Sequence, residues 1–185
     1  MKTYKTKLDG VLMIEIDIFE DERGSFYESY QIERYSSFGI GDIFEQDNFS
    51  SSKKNVIRGL HYQKKNPQSQ LLTIMRGSIF DVLVDLRRSS TTFKNKITMH
   101  LGDSYNFRQI YMPPGIAHGF CVLSDQVDLH YKVNKKYIPE NEGGILWSDN
   151  DLDIKWPIKK PVISKKDQLY KQLKDLKEID FPENL

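Results

Sequence analysis

The sequence predicts a mainly β fold, a sandwich or barrel, with a short helical tail. Three observations carry this: short apolar segments recur along most of the chain, turn residues separate them, and few stretches show helical spacing. "GVLMIEIDIFE", from Gly10, alternates as a strand, and "DERGSF" behind it supplies a turn. "IERYSSF" is a short helix candidate. "NVIRGLHYQ", residues 55–63, reads as a strand that carries two groups averse to burial, Arg58 and His61. "QLLTIMRGSIFDVLVDLRRSS" is two strands joined near Gly77, and "RQIYMPPGIAHGFCVLSD" is two more around a Pro-Pro-Gly turn. "QVDLHYKVNKKYIP" is another strand that ends before Pro139. In the tail, residues 164–178, Leu169, Leu173 and Leu176 fall on one helical face. No repeat and no Gly/Ser/Pro linker divides the chain, so residues 1–185 are expected to form a single domain.

Composition narrows the function classes. With 38% apolar and 12% aromatic residues among 185, the chain has the makings of a real core. Its 27 basic and 26 acidic residues nearly cancel, so it lacks the field that holds nucleic acid or an anionic membrane. An anionic ligand would need local cations. A single cysteine, Cys121, permits neither an intrachain disulfide nor an all-thiolate zinc site, which suits a cytoplasmic protein. The N-terminus has no hydrophobic signal core, and the apolar runs fall short of a membrane span.

Alternation says which residues share a face. In "IFDVLVDL", Phe80, Val82, Val84 and Leu86 point one way, and Asp81, Leu83 and Asp85 the other. Carboxylates on such a strand indicate solvent or a polar cavity. Tyr131 shares its face with Val127, Leu129 and Val133, so it points inward, either as core packing or into a site. In 55–63, Ile57, Gly59, His61 and Gln63 share one face, and Val56, Arg58, Leu60 and Tyr62 the other. Residues two before and two after His61 are Gly59 and Gln63, so the His-x-His pattern of a sheet-borne metal site is missing and no metal is expected. His118 follows the "PPGIA" turn, which brings it to a barrel mouth. Arg58 needs an anion or several acceptors, and a diphosphate would serve. "SKKD", 164–167, reads as a capping box with Ser164 as N-cap; alternatively, Asp167 orients a histidine from across the fold. No glycine-rich phosphate loop and no G-x-S-x-G elbow occurs.

Taken together and in order, "DERGSFYESY", "QDNFSSSKKNVIRGLHYQ", "GSIFDVLVDLRRSS", "MPPGIAHGFCVLSD", "YKVNKKYIPENEGGILWSDNDLDIKWP" and "ISKKD" closely resemble the dTDP-4-dehydrorhamnose 3,5-epimerase family, from about residue 8 to residue 168. The resemblance implies a cupin-type jelly-roll β-sandwich, a homodimer, and no metal or other cofactor. It implies that His61 is the general base, Tyr131 the general acid and Asp167 the partner of the base. It further implies substrate contacts at Arg23, Glu28, Gln46, Asn48, Arg58, His118, Glu142 and Lys166, with Arg23 serving the neighbouring subunit's site. The implied reaction inverts C3 and C5 of a nucleotide-linked 4-keto-6-deoxyhexose, taking dTDP-4-dehydro-6-deoxy-D-glucose to dTDP-4-dehydro-L-rhamnose.

One position departs from the family. Where the family usually has a lysine nine residues after the base, this chain has Gln70, within Ser69-Gln70-Leu71-Leu72. A neutral amide donates a hydrogen bond without charge, and charged donors are roughly twice as strong. Three outcomes follow: an ordinary 3,5-epimerase with another donor compensating, a different keto-sugar or inversion of one carbon only, or nucleotide-sugar binding without turnover; separately, no residue decides between thymidine and another nucleotide.

Overall fold

Two antiparallel hairpins and one helix come first in the chain. Strand β1 (Lys2–Lys5) pairs with β2 (Leu12–Glu15). Strands β3 (Phe19–Asp21) and β4 (Gly24–Phe26) pair with each other, and among the described residues no third strand joins them. Helix α1 (Ile32–Ser37) forms where expected; the Gln31 side-chain oxygen accepts the Arg34 N–H at 2.7 Å and so caps its first turn. Next come β5 (Gln46–Lys53), β6 (Val56–Gln63), β7 (Gln70–Arg76), β8 (Ser78–Asp85) and β9 (Lys96–Gly102). They are followed by β10 (Gln109–Met112), β11 (Ile116–Val122), β12 (Gln126–Val133), β13 (Glu142–Gly144) and β14 (Val162–Ile163). This is a computed structural model that describes residues 1–183; the last two residues of the expected domain lie outside the described residues.

Two sheets stack face to face. One runs β1-β2-β10-β7-β12-β5, and the other β13-β6-β11-β8-β9 with β14 beside β6. Between them lies a core built from Leu72, Ile74, Ile110 and Leu129 of the first sheet and Ile79, Leu83, Phe120 and Val122 of the second. As the alternation predicts, Phe80, Val82, Val84 and Leu86 turn to the outer face, where Ile145, Leu152, Leu173 and Phe181 cover them. The outer face of the first sheet packs Ile14, Leu71 and Tyr111 against Tyr35 and Ile40.

Strand β6 departs from simple alternation. Opposite β11, His61 pairs with His118 and Arg58 with Phe120, so three steps on β6 match two on β11. That extra residue is a β-bulge, which re-aims side chains. Ile57, Leu60 and Tyr62 all join the outer core, whereas Arg58 and His61 line the same interior cleft. The expectation that Arg58 and His61 occupy opposite faces is therefore corrected: period-two counting fails once a residue is inserted. Gly59 sits in the bulge at φ +112°, and a Cβ there would lie 2.5 Å from Gly119 Cα and 2.6 Å from the His118 carbonyl oxygen. Gly59→Ala should lower stability by about 2–4 kcal/mol, because alanine resists that φ and has no room. A urea midpoint equal to wild type would contradict this.

The tail takes its helical form as single 3₁₀ turns at Asp167–Leu169, Leu173–Asp175 and Glu178–Asp180. Tyr170 and Gln172 are extended between them. Sheet-like pairing interrupts the helix here, with Lys171 bridging Ile145 and its carbonyl accepting the Leu146 N–H at 2.8 Å. Leu173 is buried and Leu176 packs beside it, but Leu169 is 83% exposed, so the leucine spacing does not define one buried face.

Candidate active site

The two sheets open into a cleft at one end. Tyr131 enters from β12 in the first sheet, His61 from β6 in the second, and both line the same space. Asn48, Arg58, Gln70, His118 and Glu142 line it too. Seven of the residues singled out in the sequence thus meet in one cleft.

Asp167 is held behind His61. Its Oδ1 accepts from His61 Nε2 at 2.8 Å, and its Oδ2 accepts the Gly59 N–H at 3.2 Å. Ser164 Oγ accepts the Asp167 N–H at 3.0 Å, so the capping contact and the histidine contact coexist. Burial alone would raise the Asp167 carboxyl, but the hydrogen bond and charge of His61, with the Gly59 and Ser164 contacts, outweigh it and hold the carboxyl below its ordinary range. An ionised carboxylate only accepts, so Nε2 carries the proton and the other ring nitrogen is left as a base.

Tyr131 faces His61's cleft from the other sheet. Burial pushes its hydroxyl up to about 12, and the nearby Ser50 hydroxyl and Arg58 charge only moderate that rise. Its oxygen lies 3.5 Å from Ser50 Oγ, a weak contact that leaves the proton available. Arg58 donates through Nε to Ser52 Oγ at 2.9 Å, a part-buried contact, and the residue as a whole is exposed rather than buried in the strand. His118 Nε2 lies 2.6 Å from Asp81 Oδ1; Asp81 is fully buried, and its Oδ2 makes no hydrogen bond among the described residues. The alternation signal at Asp81 pointed to a polar cavity, yet nothing in the sequence paired it with His118.

Glu142 is a second hub. It accepts from Lys166 Nζ at 2.6 Å, Tyr170 at 2.5 Å and Tyr137 at 2.8 Å. Burial again works against its charge, but these donors win and hold the carboxyl low. Lys166 lies outside the main cleft, in a hollow behind His61 that Asp167 also lines. Gln46 donates to Asn48 Oδ1 at 2.7 Å, and its side-chain oxygen accepts the Tyr137 N–H at 3.0 Å. Tyr137 and Tyr170 are site residues that sequence reasoning missed; each sits in a polar stretch with no local pattern to mark it.

Two candidates touch neither this cleft nor the described residues that line it. Arg23 lies at the tip of the β3–β4 hairpin, 85% exposed and paired with Asp21 at 2.5 Å. Glu28 pairs with Arg34 at 3.3 Å. Among the described residues, no group of three or more His, Cys, Asp or Glu side chains converges as a metal site.

A profile of the dTDP-4-dehydrorhamnose 3,5-epimerase family matches residues 5–175. The chain belongs to this family. A dTDP-4-dehydrorhamnose 3,5-epimerase of Shigella flexneri is 44% identical over 169 residues, covering 90% of this chain and 93% of the relative. That of Methanothermobacter thermautotrophicus is 42% identical, covering 92% and 94%. A crystal structure of dTDP-6-deoxy-D-glucose-3,5-epimerase from Legionella pneumophila, in complex with dTDP-4-keto-L-rhamnose, superposes with a TM-score of 0.93 at 42% identity, covering 100% of this chain and 98% of that one. The sandwich described above is the cupin-type fold of these epimerases.

Proposed function

We propose that this chain is a nucleotide-sugar epimerase that inverts C3 and C5 of dTDP-4-dehydro-6-deoxy-D-glucose to give dTDP-4-dehydro-L-rhamnose. The observation that carries this is one cleft with a carboxylate-paired histidine on one wall and a protonated tyrosine on the other. The C4 ketone acidifies the hydrogens on its neighbouring carbons. His61 takes one of these protons, the electrons move onto the C4 oxygen as an enolate, and Tyr131 returns a proton to the opposite face. Asp167 fixes the histidine tautomer and balances the imidazolium that forms. Gln70 donates an amide N–H to the enolate oxygen in the role that a lysine fills elsewhere in the family.

Arg58 and His118 bind the diphosphate, and Asn48, Gln46, Glu142 and Lys166 order the rest of the substrate. Arg23 and Glu28 complete a neighbouring subunit's cleft in a homodimer. The β3–β4 hairpin supports this, since it stands free of both sheets with Phe19 65% and Phe26 72% exposed. The protein works in the cytoplasm without a cofactor; among the described residues no helix is long and apolar enough to cross a membrane. Gln70 supports a second reading, inversion at one carbon only. Proton exchange in heavy water separates the readings by the carbons that gain deuterium.

A further inference from the structure

Tyr170 is a residue for which the reaction above has no use. It ends the 3₁₀ turn that begins at Asp167, three residues earlier. Tyr170 itself is extended, so its ring takes its direction just past the end of the turn. Asp167 and Tyr170 both reach His61. Asp167 holds one ring nitrogen, and the Tyr170 ring meets the imidazole edge-on, with centroids 5.8 Å apart and an interplanar angle of 69°. The Tyr170 hydroxyl continues past His61 to donate to Glu142 Oε1 at 2.5 Å.

The sheet makes room for this. Gly144 is the register partner of His61 on β13, and a Cβ at Gly144 would strike the Tyr170 ring. Glu142 stands two residues before Gly144 on the same strand. A single turn and a side-chain-free position therefore bring the base, its partner and the Glu142 carboxylate into one packed unit.

We propose that Tyr170 is a positioning residue, one that fixes the plane of the His61 ring and keeps the Glu142 carboxylate committed away from the base. This rests on the reading of His61 as base. The charged and titratable groups around His61 are Asp167, Lys166 and Tyr170 from the tail, Glu142 from β13, His118 from β11, Tyr131 from β12 with Tyr137 just beyond it, and Arg58 and Tyr62 from its own strand. Glu142 is the anion that the Tyr170 hydroxyl restrains. Without that hydroxyl, Glu142 loses one of its three donors and acts more strongly on a protonated His61.

Two variants separate ring from hydroxyl. Tyr170→Phe keeps the ring and should lower kcat about tenfold with KM little changed, while the acid limb of the pH–rate profile moves to higher pH. Tyr170→Leu removes both contacts and should lower kcat about 100-fold, as a misplaced catalytic group does. Gly144→Ala should resemble Tyr170→Leu, since it displaces the ring. In a Glu142→Gln background, Tyr170→Phe should no longer shift the acid limb. The proposal is overturned if both Tyr170 variants fold and keep wild-type kcat and pH profile. It is also overturned if their losses follow melting temperature alone with the acid limb fixed. Exchange by the wild-type enzyme is the reference; its absence would remove the epimerase reading itself, a different failure from normal exchange in the variants.

Discussion

His61→Asn should abolish deuterium uptake into the keto-sugar, with kcat reduced by at least about 10³-fold. Asparagine keeps a polar side chain of modest size but has no basic nitrogen, so the enolate cannot form at a useful rate. The change also leaves Asp167, 4% exposed, without its cationic or imidazole partner. Asp167 is the buried member of this half-buried pair, and leaving its carboxylate unpaired is destabilising, so a lowered melting temperature is expected alongside the lost activity. Circular dichroism separates the two effects: a folded protein with no exchange fits the account, and a folded protein exchanging at the wild-type rate contradicts it.

Tyr131→Phe should give a different failure. His61 still removes a proton, but nothing on the opposite wall returns one, so inversion falls by roughly 10²–10⁴-fold. Exchange with retention of configuration should persist, because the base can hand back its own proton or a solvent deuteron to the same face. The raised Tyr131 hydroxyl, at about 12, has a consequence for pH. An acid is active while protonated, so raising its pKa extends activity to higher pH, and Tyr131 should impose no alkaline limb up to about pH 10. Inversion at the wild-type rate by the phenylalanine variant would exclude Tyr131 as the acid.

Much of this was legible in residue patterns. The alternation in β8 separated Phe80, Val82 and Val84 from Leu83, and the two sets enter different cores. Tyr131 was placed inward by Val127 and Leu129 on its own strand, and it packs against that same interior core. What alternation could not reveal was the inserted residue in β6, because a bulge leaves composition unchanged while reversing the parity after it. Gly59 was its only local sign. Nor could spacing reveal that Tyr170 and Tyr137 reach Glu142, or that Asp81 reaches His118. The Tyr170–Glu142 and Asp81–His118 contacts join residues far apart in the chain that the sheet order brings together, whereas Tyr137 reaches Glu142 across only five residues, around the turn at Pro139–Asn141. The tail leucines misled in a milder way. Their spacing suits an α-helix, but pairing between Lys171 and Ile145 draws the backbone out and leaves Leu169 in solvent.

The central claim is that His61 and Tyr131 act from opposite walls on carbons flanking a ketone. It is tested most directly by incubating the unmodified enzyme with dTDP-4-dehydro-6-deoxy-D-glucose in heavy water and following C3 and C5 by NMR. The account predicts deuterium at both carbons with inversion at each, and deuterium at C3 alone would narrow it to a one-centre enzyme in which Gln70 limits the second enolate. No deuterium at either carbon, from folded enzyme that binds the nucleotide sugar, would contradict it.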